Sequence, residues 1–320
     1  MTETAVIIPN YNGEQYLREC LDALAGQTSK NFSVLVVDNG STDGSLSLLQ
    51  NEYPQVSVLA LPENTGFCHA INEGTRQTEA PFVVYLNNDT VVFPDFIEEL
   101  TAAIKRHPKA FAVGAKMLQY RDHKKIDSAG VLYSAMGWAY DRGKDRDASL
   151  YEKEEEVFAV CAGAAIYRRK FLLRTGLLDE AHFAYLEDLD LCYRARIMGF
   201  ENWYAPKAKV YHVGSAASGS RHNPWKVKLS AQNNVYVIHK NMTKGQKIIN
   251  APFLGAGFLI KSLFFTGKGL GREYWEGLKA GAELPKLPEN KKKIVPVKKN
   301  NQANYRKIEK ELLKNMFLRR

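Results

Sequence analysis

Two rhythms of apolar residues alternate along the first ninety positions. Ala5–Pro9, Phe32–Asp38, Val56–Leu61 and Phe82–Leu86 are continuous apolar runs of strand length. Between them, Glu14–Ala25 repeats Leu17, Cys20, Leu21 and Leu24 at helical spacing, and Ser45–Gln50 and Phe67–Arg76 read as further helices. Unbroken Val/Ile/Leu runs separated by helices predict a parallel sheet covered on both faces. Ligands of such sheets sit beyond the C-terminal ends of the strands. That rule singles out Pro9-Asn10-Tyr11, Asp38-Asn39-Gly40 and Asn87-Asn88-Asp89.

Farther along, the highly charged segment Arg142–Glu156 reads as a surface loop. Glu187–Arg196 reads as a helix on which Glu187, Asp190 and Arg194 share a face and can pair. Asp188 points roughly 100° away from Glu187. Taken as one helix, 254–279 would align Lys261, Lys268, Arg272 and Lys279 opposite Leu259, Ile260, Leu263, Leu270, Tyr274 and Leu278, an interfacial pattern. Gly267, Gly269 and Gly271 predict a break into two shorter helices. Pro285–Asn304, with three consecutive lysines, reads as a flexible linker or tail.

Composition narrows the class. At 45% hydrophobic and 25% charged residues the chain is ordinary globular material, and 320 residues suit one large domain or two small ones. No apolar run reaches the roughly 18 residues that span a bilayer. Met1-Thr2-Glu3-Thr4 lacks the basic and apolar regions of a signal peptide. The four cysteines are far apart and form no CxxC pair, which argues against a zinc site or disulfide framework and for a reducing compartment. The dinucleotide fingerprint is absent, and Gly267-Lys268-Gly269 lacks the other elements of a phosphate-binding loop. The net charge of +9 is uneven: residues 1–200 hold 20 basic and 28 acidic side chains, and residues 201–320 hold 24 and 7. A basic C-terminal part implies an anionic partner. With no RNP, helix-turn-helix or finger motif, that partner reads as an anionic membrane surface and not nucleic acid.

Five blocks in order make the chemistry specific. They are Val6-Ile7-Ile8-Pro9-Asn10-Tyr11-Asn12-Gly13; Val36 to Ser45; Asn64-Thr65-Gly66-Phe67 with Ala70, Asn72 and Gly74; Leu86-Asn87-Asn88-Asp89-Thr90; and Glu187-Asp188-Leu189-Asp190-Leu191-Cys192. Together, across roughly residues 4–240, they resemble family 2 glycosyltransferases, and rhamnosyltransferase-like bacterial members most of all. The resemblance implies the GT-A fold, an α/β nucleotide-binding sandwich with a mostly parallel central sheet, followed here by a C-terminal helical basic extension. It divides the chain into a catalytic domain over 1–220 (nucleotide-sugar half about 1–115, acceptor half about 116–220), an amphipathic helical extension over 221–284, and a basic linker and tail over 285–320. The implied activity is inverting, metal-dependent transfer of a sugar, rhamnose favoured, from dTDP-rhamnose or a UDP-sugar. The implied acceptor is a polysaccharide or polyprenyl-linked glycan in cell-surface glycan synthesis. The implied location is cytoplasmic, peripheral on the inner face of the cell membrane.

Residue by residue, each role stands beside a structural alternative. Asp38 ends a buried strand, where it can accept hydrogen bonds from a base or ribose or cap the next helix. The resemblance implies nucleotide binding by Asp38, with Pro9, Asn10, Tyr11, Asn64, Gly66, Asn87 and Asn88, and leaves Asp43 as a helix cap. It makes Asp89 the principal ligand of Mg²⁺ or Mn²⁺; an Asx-turn at a strand end is the alternative. Asn87 stands where the family's first aspartate would be and offers only a neutral oxygen. His212 is a metal ligand or diphosphate contact by resemblance, and a structural or exposed histidine otherwise. Asp188 becomes the general base that deprotonates the acceptor hydroxyl, with Glu187 beside it; acidic residues at a helix N-terminus also stabilise the helix. Trp138, Cys161, Ala162, Gly163 and Asp190 would line the acceptor and sugar pocket, with Cys161 packing as a small apolar group and Trp138 stacking on ligand or filling the core. A non-catalytic sugar-nucleotide or glycan-binding protein on the same fold is the second reading, kept open by Asn87.

Overall fold

The computed structural model describes residues 2–214 and 222–318; the domain boundary set at 220 lies outside the described residues. The first half follows the predicted alternation: β1 (Thr4–Asn10), α1 (Glu14–Ala25), β2 (Phe32–Asn39), α2 (Ser45–Glu52), β3 (Ser57–Leu61), α3 (Phe67–Arg76) and β4 (Phe82–Leu86). Next come β5 (Thr90–Val92), α4 (Phe96–Arg106), β6 (Ala110–Gln119), β7 (Ile126–Ser128), β8 (Val131–Tyr133), β9 (Ala139–Asp141) and β10 (Glu155–Val157). They are followed by β11 (Ala164–Arg168), α5 (Arg169–Thr175), α6 (Glu187–Ile197) and β12 (Glu201–His212). The C-terminal part is helical: α7 (Pro224–Asn241), α8 (Lys244–Gly267), α9 (Gly271–Glu283), α10 (Pro288–Lys291) and α11 (Gln302–Lys314).

β3, β2, β1 and β4 lie side by side and parallel. β11 is inserted antiparallel between β4 and β6, and β12 runs parallel to β6. The apolar runs are continuous because successive residues feed two different cores. Val6, Ile8 and Val36 fill one face of the sheet, while Ala5, Ile7 and Val37 fill the other. The register pairs Asn10 with Asp38, so β1 and β2 deliver both to the same C-terminal edge.

Three features differ from the sequence reading. Arg142–Glu156 is not merely a solvated loop: Arg142 donates to the Ala129 carbonyl (2.8 Å), pairs with Glu155 and lies 5.0 Å from the Tyr151 ring centre. The supposed tail contains α11, whose Tyr305, Ile308 and Leu312 are buried; their helical spacing is diluted in the sequence by the surrounding lysines. The helix break falls at 268–270 as the glycines predict, but the preceding α8 is 24 residues long with mean hydropathy 1.6 and is long and apolar enough to cross a membrane. Scattered Asn250, Lys261 and Ser262 hide that length from a count of consecutive apolar residues. Lys261 lies over the Trp138 ring at 5.8 Å, on the protein side of α8, so it does not form an outward stripe with Lys268 and Arg272.

Two buried networks set the position of α6. The loop before it holds Phe183, Tyr185 and Leu186 at φ of 61°, 69° and 63°, a region that costs energy for side-chain-bearing residues. Asn233 of α7 restrains this loop: its Nδ2 donates to the carbonyls of His182 (2.9 Å), Ala184 (2.8 Å) and Tyr185 (2.8 Å). Behind α6, Asp190 is fully buried and accepts from Lys240 Nζ (2.8 Å), Asn241 Nδ2 (2.8 Å) and Arg194 Nε (2.9 Å). Lys240 also bonds Asp179 (2.7 Å), which takes Lys293 on its other oxygen (2.6 Å). Burial alone would raise both carboxyls, but Lys240 outweighs it and holds them well below the usual carboxylate range.

Because those folded values are depressed, the stability they supply is complete above the unfolded carboxylate value of about 3.9 and is lost as pH falls through the folded values. Lys240→Met should destabilise the protein by about 3–5 kcal/mol by leaving two carboxylates buried around a missing cation. Asn233→Leu should cost about 1–3 kcal/mol. Urea unfolding at neutral pH measures both; unchanged midpoints would deny these networks their role.

Candidate active site

The edge at the C-terminal ends of β1 and β2 is organised by amide side chains. Asn10 Nδ2 donates to Asp38 Oδ1 (2.9 Å) and Ser41 Oγ (3.2 Å), and Asp38 Oδ2 accepts the Ser41 N–H (3.0 Å). Asp38 is fully buried, with one oxygen held by Asn10 at the end of β1 and the other by Ser41 in the loop after β2. Asn88 donates to Asn10 Oδ1 (2.7 Å), and a Cβ at Gly13 would collide with both amides. Asp43 accepts the N–H groups of Ser45 and Glu14 at 3.0 Å each, the capping role read from the sequence. Asn39, in the second strand end singled out from the sequence, donates to Asn64 Oδ1 (3.1 Å) and to the Gly66 carbonyl (3.2 Å). Gly66 has φ of 88° with the Phe183 ring against it, leaving no room for a side chain. Pro9 is partly buried, and Tyr11 stands open at 38% exposure.

Beyond β4, Asp89 and His212 come together. β12 pairs His212 opposite Thr90, which brings His212 Nε2 within 3.3 Å of Asp89 Oδ1. The other ring nitrogen lies 2.8 Å from Asp127 Oδ2, and Asp127 pairs in turn with Lys144. Burial pulls the imidazole down, but the two carboxylates outweigh it and raise His212 to about 10. Burial raises Asp127, and His212 and Lys144 more than reverse the effect. One carboxylate oxygen and one imidazole nitrogen converging on a point suit Mg²⁺ or Mn²⁺ that displaces the imidazolium proton and takes its remaining ligands from a diphosphate and water. An outer carboxylate on the far ring nitrogen is the arrangement that aims a metal-binding histidine. Asp127 and Lys144 went unnoticed in the sequence; the available signal was an acidic residue inside the buried strand β7.

Asp188 sits half-buried in the first turn of α6. Its oxygens accept the N–H groups of Ala162 (3.2 Å) and Leu189 (2.7 Å). Burial raises its carboxyl to about 6, against the opposing pull of those two bonds, and the charge of Asp141 adds to the rise. Glu187 is buried, and its Oε2 has no hydrogen-bond partner among the described residues. Burial, then the Asp188 charge, pushes it well above the usual range, so it is the protonated member of the pair. The predicted Glu187–Asp190–Arg194 pairing therefore reduces to Asp190–Arg194.

The 161–163 loop links Asp188 to the strand end that carries Asp89. Ala162 holds Asp188, and the Gly163 carbonyl accepts the Asn87 N–H (2.9 Å). A Cβ on Gly163 would lie 3.0 Å from Asn87 Nδ2. Burial, then the Asp188 charge, pushes the Cys161 thiol well up, which makes it a packing group. Two of the named pocket residues point elsewhere: Asp190 is turned inward to Lys240, and Trp138 Nε1 donates to the Gly257 carbonyl of α8 (3.2 Å). Asp179, His182 and Asp190 also lie close enough to hold an ion. Lys240 already supplies the positive charge between the two carboxylates, and burial lowers His182 to about 4, keeping it neutral. This triad is a salt-bridge centre.

The match to known proteins agrees with this geometry. The model of glycosyl transferase family 2 matches residues 5–175. N-acetylglucosaminyl-diphospho-decaprenol L-rhamnosyltransferase of Mycobacterium tuberculosis is 28% identical over 236 residues, 67% of this chain and 77% of that one. The uncharacterised protein y4gI of Sinorhizobium fredii is 28% identical over 235 residues, 69% of this chain, but the chain spans only 26% of its length. Among solved structures, S. aureus TarS 1–349 in complex with UDP-GlcNAc superposes with a TM-score of 0.61 at 20% identity, covering 97% of this chain and 91% of that one. GalNAc-T7 with UDP, GalNAc and Mn²⁺ gives 0.63 at 14% identity, covering 90% and 57%. The fold is GT-A, and the chain belongs to glycosyl transferase family 2.

Proposed function

We propose that this protein transfers a sugar from a nucleotide-sugar to an acceptor hydroxyl, with inversion, in the synthesis of a cell-surface glycan. The observation that carries the reading is the single loop, 161–163, that holds the Asp188 carboxylate on one side and the Asn87–Asp89 strand end on the other. Asp188 takes the acceptor proton as its oxygen attacks the anomeric carbon, and the bond from that carbon to the diphosphate breaks in the same displacement. Glu187, kept neutral, adds no second negative charge beside the attacking oxygen. Asp89 and His212 would hold Mg²⁺ or Mn²⁺, which neutralises charge on the departing diphosphate. Tyr11, Asn64 and the amide network around Asn10 form the floor for the nucleotide. Rhamnose and a polyprenyl-diphosphate-linked acceptor are the favoured sugar and acceptor, because the mycobacterial relative carries those groups in its name; dTDP-rhamnose is the donor that the sequence resemblance implies, and a UDP-sugar is the alternative, because TarS was solved with one.

Three outcomes test this reading. Asp188→Asn should lower kcat by about 100- to 10,000-fold with little change in donor KM; unchanged turnover would remove Asp188 as the base. The wild-type rate should rise with pH and level off above about 6, since only the ionised carboxylate accepts the proton. Asp127→Asn should weaken Mn²⁺ binding by about 10- to 100-fold through misdirection of His212, read by titration calorimetry on the folded variant. A thermal-shift panel of dTDP-, UDP- and GDP-sugars with Mn²⁺ identifies the donor, and donor binding with no turnover under any metal would favour the binding-only reading.

A further inference from the structure

Surface helices in water turn their polar side outward, and α8 does the reverse. Between its ends, Gln246, Asn250, Lys261 and Ser262 face the protein. Gln246 and Asn250 donate to Glu309 of α11 (3.0 and 2.9 Å), and Lys261 lies over Trp138. Its outward side carries Ile248 (75% exposed), Ile249 (59%), Leu259 (60%), Ile260 (47%) and Leu263 (66%). Pro252 and Ala256 are exposed between them, and no charged residue occurs from Ile248 to Ile260. An apolar surface of this extent on the outside of a folded chain marks contact with an apolar medium or partner.

The surroundings identify the medium. Exposed Lys244 begins the helix, and exposed Lys268 and Arg272 follow its end. Trp275 of α9 is 53% exposed nearby in sequence. Apolar centre, basic ends and a half-exposed indole together match the layering of a lipid surface, where acyl chains lie beneath anionic head groups. The chain from 201 onward supplies the complementary charge, with 24 basic against 7 acidic residues.

We propose that α8 lies in the plane of an anionic bilayer, its Ile248–Leu263 face sunk to the acyl boundary, and docks the protein on that surface. Crossing the bilayer is disfavoured by the inward contacts. Gly257 packs so closely on the Met136 backbone that a Cβ would collide with it, and Trp138 and Glu309 hold the same side of the helix. The apolar surface also continues toward the active site. His222 meets Phe264 and Phe265 edge-on at 5.8 Å each. Trp225, 48% exposed, meets Phe183 and Tyr185 of the strained loop ahead of Asp188 at 6.2 and 5.7 Å. A lipid-borne acceptor would therefore reach Asp188 along the docked surface. That last step rests on the proposed transfer reaction; the docking does not.

Flotation of the full chain with vesicles tests the docking without any assay of transfer. Wild type should float with phosphatidylcholine–phosphatidylglycerol vesicles and float less with phosphatidylcholine alone. Leu259→Glu/Leu263→Glu should lower the lipid partition coefficient by roughly 100-fold or more, with unchanged thermal unfolding in solution. Lys268→Glu/Arg272→Glu should weaken binding to the anionic vesicles only. Three results would overturn the proposal: wild type that stays at the bottom with both vesicles, a Leu259→Glu/Leu263→Glu variant that floats like wild type, or a lipid-indifferent dimer that this variant splits into monomers by light scattering. The last would assign the face to a second copy of the chain.

Discussion

The position of Asp188 depends on a carboxylate two residues away that never meets substrate. Asp190 is locked by Lys240, Arg194 and Asn241 inside the protein, which fixes the rotation of α6 about its axis. With Asp190 turned inward, a helix of 3.6 residues per turn sends Asp188 roughly 200° away, toward the 161–163 loop. Asn233 fixes the entry to the same helix by restraining three carbonyls of a loop whose backbone is strained. Both anchors, Asn233 and Lys240, come from α7. The helical extension thus anchors α6 and the loop before it, as well as having a surface of its own.

Electrostatics separates the acidic groups by task. Where a cation is adjacent and buried, as at Asp179 and Asp190, the carboxyl is held ionised and serves the fold. Where burial dominates, both carboxyls are raised, Glu187 well above the usual range and Asp188, held by two backbone N–H groups, only to about 6. At the end of β4 the imidazole of His212 lies between Asp89 and Asp127, so the polar atoms there already converge as an ion would require. The excess positive charge lies elsewhere, in the chain from 201 onward, with 24 basic against 7 acidic residues.

Much of this was legible in the sequence, for physical reasons that also explain the gaps. The parallel strands show as continuous runs because each residue alternates between two cores. Asn10, Asp38, Asn88 and Asp89 were found because strand ends are where such sheets expose polar groups. Lys240, Asn233 and Asp127 were not, because their partners lie 50, 48–51 and 85 residues away and no local spacing encodes such contacts. α11 was missed because its apolar stripe is narrow among lysines. The place of Lys261 in a basic stripe was misread because periodicity gives two faces without saying which one the protein takes, and Lys261 lies over Trp138.

The most direct test of the account separates deprotonation from the rest of the site. Azide attacks an anomeric carbon without losing a proton, so it needs no base. The account predicts that Asp188→Ala, inactive towards a hydroxyl acceptor, still converts the donor to the glycosyl azide of inverted configuration, identified by NMR. Hydroxyl transfer at wild-type rate by Asp188→Ala, or a glycosyl azide of retained configuration, would contradict it.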